Sequence, residues 1–160
     1  NKMGFVFQNS QMLKNLSIFD NIILPGMVAK RESIEVVRAR ATELMSKMGI
    51  EDIKDRNIRE VSGGQLQRAA ICRAMINSPE ILFMDEPTGA LNSEAASQVM
   101  EILKKLNQEG ISIMLVTHDA KMASMAKKVI YIKDGKLAGE IKLSNEKEAL
   151  AELDLWLKTI

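Results

Sequence analysis

Asp85 and Glu86 follow the unbroken apolar run Ile81-Leu82-Phe83-Met84. An aspartate at the end of a buried strand can hold Mg²⁺ directly or through water. A glutamate one residue on points elsewhere and can polarise a water molecule. Two solvated acids at a strand end would read the same way, so the pair alone decides nothing. In Val61-Ser62-Gly63-Gly64-Gln65, two glycines stand behind a serine placed to cap a helix. The first amides of a helix lack partners within it and carry partial positive charge. Where those positions are glycine, a phosphate can approach the amides closely, and the Ser62 hydroxyl can add a donor. A glycine-softened loop entering a helix is the plainer alternative. Gln8, closing Gly4-Phe5-Val6-Phe7, and His118, the only histidine, also stand at strand ends, where a polar cap is the ordinary role.

The elements that must position these residues follow from apolar spacing. Residues 4–7 read as a strand that stops at Gln8, and 9–31 as irregular, with apolar residues clustered from Leu16 to Leu24. Ser33 caps a helix whose Ile34, Val37, Ala41, Leu44 and Met48 recur at spacings of three and four, with Gly49 at its end. A second helix runs from Gly63 or Gly64 to about Asn77 and closes at Ser78-Pro79. Segments 81–84 and 111–116 read as strands buried on both faces, the habit of parallel sheets. Between them Ser93 caps a third helix that ends at Gly110. Asp134-Gly135, flanked by 129–133 and 136–141, is a two-residue hairpin signal. From Asn145 the tail reads as a helix with Leu150, Leu153 and Leu157 on one face. Strands alternating with helices after residue 80 predict an α/β sheet.

Composition narrows the classes. A chain of 160 residues suffices for one domain. Its 22 basic against 21 acidic residues argue against a general nucleic-acid binder, whose affinity rests on excess positive charge. No apolar run approaches the roughly 20 residues that cross a bilayer. The single Cys72 forms no internal disulfide and reads as a packed thiol in a reducing, cytoplasmic setting. No secretory leader is visible, and the abrupt opening on an apolar run suggests a piece of something longer.

The order of these features raises their weight. A serine-capped glycine turn, a helix, a buried strand and an acidic pair follow one another within VSGGQLQRAAICRAMINSPEILFMDEPTGALNS. This resembles the ATPase subunit of ATP-binding-cassette (ABC) transporters. Val61 to Gln65 is similar to that family's signature motif, 81–86 to its Walker B strand with the catalytic glutamate, and Gly89 to Asn92 to its D-loop. His118 is similar to the switch histidine and Gln8 to the Q-loop glutamine. GFVFQ, DEPTGAL and DLWL look most like the branch of lipoprotein-releasing, macrolide-export and antimicrobial-peptide-resistance ATPases.

The resemblance implies part of a P-loop NTPase (RecA-like) core, residues 1–8 and 79–143, with the ABC helical subdomain at about 9–78 and a C-terminal helix at 144–160. It implies ATP and Mg²⁺ as cofactors. Asp85 and Gln8 would lie at the metal, and Glu86 would be the general base. His118 would contact the γ-phosphate. Ser62, Gly63, Gly64 and Gln65 would bind the γ-phosphate of ATP held by a second, head-to-tail ATPase subunit, with Asn92 beside them. A transmembrane permease would be the membrane partner, holding the subunit on the inner face of the cell membrane, with no nucleic acid involved. The segment around Leu16, Phe19, Ile22 and Leu24 would lie beside the groove for that partner or serve as subdomain core. Two departures stand out. No GK[ST] triplet of the family's phosphate-cradling loop occurs, nor the adenine-stacking aromatic before it, so the chain alone is expected to be inactive. Asn92 stands where the family commonly has aspartate. A soluble ABC-type ATPase of DNA repair or translation, or a non-catalytic interaction module, are the alternatives.

Overall fold

The computed structural model describes residues 2–144 and 148–160. The chain forms two compact units, Asn1–Val116 and Thr117–Ile160.

In the first unit three parallel strands lie in the order β1 (Met3–Val6), β2 (Ile81–Asp85), β3 (Ser112–Val116). Met3 pairs with Ile81, and Asp85 with Val116. Gln8 therefore follows the C-terminal end of β1 at the same sheet edge where Asp85 and Glu86 leave β2. Ligands of open α/β sheets bind at that edge.

One face of the sheet is buried. Val6, Leu82 and Met84 point into it together with Ala70, Ile71, Val99 and Leu103 from the helices α3 (Gly63–Met75) and α4 (Ser93–Gln108). Gly4 permits the close packing, because a Cβ there would lie 2.6 Å from the Ala74 carbonyl oxygen. The opposite face is open. Met3, Phe5, Met114 and Val116 are exposed, and Phe5 stacks on Phe83 with centroids 5.2 Å apart. Burial on both faces, expected from the apolar runs, is thus not met: among the described residues one helical layer covers the sheet.

The remainder of this unit is helical. Ser33 caps α2 (Ile34–Lys47) through the Val36 amide, and Gly49 follows with φ of 61°, as the sequence pattern predicts. Residues 9–31, expected to be irregular, contain the twelve-residue helix α1 (Ile18–Ala29), capped by Ser17. Pro25 and Gly26 hide it, since both normally disfavour a helix interior. Gly26 is there for packing: a Cβ would meet Val37 Cγ1 of α2 at 2.7 Å. The start of α4 also differs from expectation. Asn92, not Ser93, is the cap, its side chain accepting from the Ala95 amide at 2.8 Å.

In the second unit, β4 (Lys128–Lys133) and β5 (Lys136–Lys142) form the expected hairpin. Asp134 and Gly135 both have positive φ, 50° and 72°, as the tight two-residue turn requires. The short helix α5 (Ala120–Ala123) is capped by Asp119. In α6 (Ala149–Leu157), Leu153 is buried, and Trp156 lies against Gly139 and edge-on to Tyr131. The expected start of this helix at Asn145 lies outside the described residues. Among the described residues no helix is long and apolar enough to cross a membrane.

Candidate phosphate and metal site

The two glycines of the Ser62 turn occupy the first turn of α3, and the helix starts with a closed capping box. The Gln65 amide donates to Ser62 Oγ at 3.2 Å, while Gln65 Oε1 accepts from the Ser62 amide at 3.0 Å. Ser62-x-x-Gln65 is the spacing such a box requires. The glycines also have an internal reason. A Cβ on Gly64 would lie 3.0 Å from the Ala95 Cβ, and one on Gly63 would lie 3.4 Å from Leu91 Cδ2. The first turn of α3 is thereby packed against the first turn of α4. Two helix N-termini, capped by Ser62 and Asn92, come side by side. Each carries roughly half a positive charge, so an anion lying against both is favoured. Ser62, Gly63 and Asn92 are exposed. This arrangement suits a phosphate.

The acidic pair sits at the sheet edge. Asp85 is the last residue of β2 and is exposed, while Glu86 is partly buried. Glu86 adopts φ of 46°, in the left-handed region that a non-glycine residue rarely enters. Its amide continues the sheet to the Val116 carbonyl at 2.9 Å, and its carbonyl accepts from the Gly89 amide at 3.1 Å. The strand thus ends in a tight turn that swings Glu86 away from the direction of Asp85. Such strain is retained where the surroundings demand it, and it gathers at functional positions. Among the described residues no cluster of three or more His, Cys, Asp or Glu is placed to hold a metal. The exposed Asp85 carboxylate at the strand end is the kind of donor Mg²⁺ uses, since that ion takes one or two carboxylates and fills the rest of its shell with water and phosphate oxygens.

Gln8 is brought to the Glu86 turn. Its side-chain nitrogen lies 3.1 Å from where a Cβ of Gly89 would stand, and the Glu86 Cβ lies 3.7 Å from the same point. The segment after Gln8 is pinned from two helices. Arg73 of α3 donates to the Ser10 carbonyl at 2.6 Å and to the Gln11 carbonyl at 2.9 Å. Gln11 has φ of 48°. Buried Asn21 of α1 accepts from the Leu13 amide at 2.7 Å and donates back to the Leu13 carbonyl at 3.0 Å. Sequence reading missed Arg73 and Asn21, and took Gly89 only as the start of the segment similar to a D-loop. An arginine within the largely buried run Ala69 to Met75 was the available signal for the first.

His118, two residues past β3, is exposed and belongs to the second unit. Cys72 is fully buried in α3, and burial pushes its thiol up to about 12, so it stays protonated and takes no part in chemistry. A cleft of about 250 Å³ lined by Gly26, Glu32, Arg40 and Asn77 contains none of these residues. Arg40 and Glu32 form a paired salt bridge there, which holds the Glu32 carboxyl below its ordinary range.

Comparison with known proteins identifies the family. The family model described as "ABC transporter" matches residues 1–89. The macrolide export ATP-binding/permease protein MacB of Campylobacter jejuni subsp. jejuni serotype O:2 is 43% identical over 159 residues, 99% of this chain and 24% of that protein. The ABC transporter ATP-binding protein YxdL of Bacillus subtilis (strain 168) is 41% identical over 152 residues, covering 94% of this chain and 59% of that one. Among solved structures, the dimeric post-hydrolysis state of the ATP-binding cassette MJ0796 bound to ADP and Pi superposes with a TM-score of 0.80 at 38% identity. It covers 91% of this chain and 64% of that chain. The chain therefore spans a quarter to under two thirds of the lengths of these relatives, and its fold is that of the P-loop NTPase cassettes with their helical subdomain. The chain belongs to the ABC transporter family.

Proposed function

We propose that this chain is part of the ATP-binding subunit of an ABC transporter that hydrolyses ATP to drive export or extraction of a substrate at the membrane. The observation that carries the reading is the convergence of the α3 and α4 N-termini through the Gly64–Ala95 approach. It supports a role for Ser62, Gly63, Gly64 and Gln65, with Asn92 beside them, in binding the γ-phosphate of ATP held by a second subunit. The similarity to a dimeric cassette bound to ADP and Pi and to a macrolide exporter supports the same reading.

Glu86 takes a proton from the attacking water as it approaches phosphorus. Asp85 and Gln8 hold the Mg²⁺ side of the site. When bound, the ion neutralises charge developing on the phosphate oxygens. His118 donates to the γ-phosphate. The permease is the membrane partner, placing the subunit on the inner face of the cell membrane. The 1–8, 9–78, 79–143 and 144–160 division serves this function: the helical segment carries the phosphate-binding turn and the sheet carries Glu86.

Phosphate release measures the claim. The 160-residue chain alone turns over no Mg-ATP. The chain extended at its N-terminus by the family's G-x-x-x-x-G-K-[ST] segment turns over at about 1–10³ s⁻¹. Glu86→Gln in the extended chain lowers that by about 10²-fold or more. An extended chain without turnover, or one indifferent to Glu86→Gln, contradicts the reading.

A further inference from the structure

Gly89 lies in the turn Glu86-Pro87-Thr88-Gly89, where its amide closes onto the Glu86 carbonyl at 3.1 Å. A Cβ added to it would meet three atoms. The Glu86 carbonyl oxygen at 3.5 Å and the Glu86 Cβ at 3.7 Å are ordinary contacts, while the Gln8 side-chain nitrogen at 3.1 Å is tight. The tight neighbour is the far end of a flexible exposed side chain. The fold does not need glycine here, since no buried backbone or core side chain would be displaced. The Gln8 amide does feel it, because a Cβ on Gly89 takes part of its room beside Glu86 and the amide must give way by a few tenths of an ångström.

We propose that Gly89 is a positioning residue for the reaction. Its bare Cα is the seat on which the Gln8 amide rests, and that seat sets the distance between Gln8 and Glu86. A methyl group on Gly89 pushes the amide outward and leaves the Glu86 turn where it is. The Arg73 clamp on the Ser10 and Gln11 carbonyls sharpens the effect. With the following backbone pinned, the Gln8 side chain has little freedom to recover its place by moving the loop. This inference rests on the proposed role of Gln8 at the metal side of the site.

The test is a double-mutant cycle in the extended chain, reading kcat and KM for Mg-ATP in wild type, Gly89→Ala, Gln8→Ala and the double variant. Gly89→Ala is expected to lower kcat roughly tenfold, the scale of a small misplacement of a reacting group, with KM little changed. In the Gln8→Ala background the same substitution has no further effect, because the displaced group is gone. If Gly89→Ala slows turnover equally in both backgrounds, the seat is refuted and the role of Gln8 stands. If Gln8→Ala leaves turnover unchanged, the role of Gln8 fails, and the seat with it. A second measurement needs no turnover. In the 160-residue chain, Gly89→Ala shifts the Gln8 side-chain amide resonances in a ¹⁵N correlation spectrum while the melting temperature holds. Unmoved Gln8 resonances in a folded variant overturn the proposal.

Discussion

The guanidinium of Arg73 bridges two successive carbonyls, Ser10 at 2.6 Å and Gln11 at 2.9 Å, some 60 residues away in sequence. Arg73 lies on α3, whose other end is the glycine turn at Ser62, and Ser10 and Gln11 lie just past Gln8. One side chain thus ties the segment that carries Gln8 to the helix that carries the phosphate-binding turn. Lysine keeps the charge but cannot fork across two carbonyls. Arg73→Lys should cost about 1.5–3 kcal/mol in urea unfolding, from one charged hydrogen bond lost. The local opening should be seen as faster tryptic cleavage after Lys14. Unchanged cleavage and stability would show that the clamp holds nothing.

Cys72 gives a pH dependence with a definite sign. Its native value lies near 12 against an ordinary 9.0, and burial is the cause. Between these limits the unfolded thiol loses its proton and the native one does not, so the unfolded state is favoured as pH rises. Stability from this group is fully present below pH 9 and falls by about 1.4 kcal/mol per unit above it. Denaturation at pH 8 and pH 10.5, comparing wild type with Cys72→Ala, isolates this loss from the lysines. Equal losses in both proteins would contradict it.

The open sheet face predicts self-association of the 160-residue chain. Met3, Phe5, Met114 and Val116 present an apolar surface on one side of a three-stranded sheet. Exposed apolar patches of this kind are rare on monomeric proteins. Light scattering should give a mass that rises with concentration, and Phe5→Glu should reduce it. A cooperatively melting monomer at all concentrations would contradict the expectation.

Parts of this architecture were legible because a local signal and the tertiary result agree. The Ser33 cap with its apolar spacing gave α2, and Asp134-Gly135 gave the hairpin. The candidate site residues were chosen because their motifs fall in order along the chain. What stayed hidden depends on partners distant in sequence. Helix α1 carries Pro25 and Gly26 in its interior and is fixed by contact with Val37, which no local pattern shows. The clamp by Arg73 spans more than 60 residues. Asn92 and Ser93 are both good caps, and only the backbone distinguishes them. The exposed face of β3 reads as buried because Met114 and Val116 are apolar, whatever covers them.

The central claim is that the glycine turn at Ser62 binds a phosphate held by another subunit. Gly64→Asp brings a negative charge to the first turn of α3, next to that of α4. A helix start tolerates aspartate, so the monomer should fold, with a packing cost from the Ala95 contact that a thermal melt will register. ATP binding at the subunit's own phosphate-cradling loop should persist. In the extended chain, Glu86→Gln slows turnover and lets the ATP-bound dimer accumulate. The decisive measurement is size-exclusion chromatography with Mg-ATP of Glu86→Gln beside Glu86→Gln/Gly64→Asp, both verified as folded. The account predicts a dimer for the first and a monomer for the second. Equal elution as dimers would mean that Gly64 serves only its contact with Ala95, and that the turn binds no phosphate.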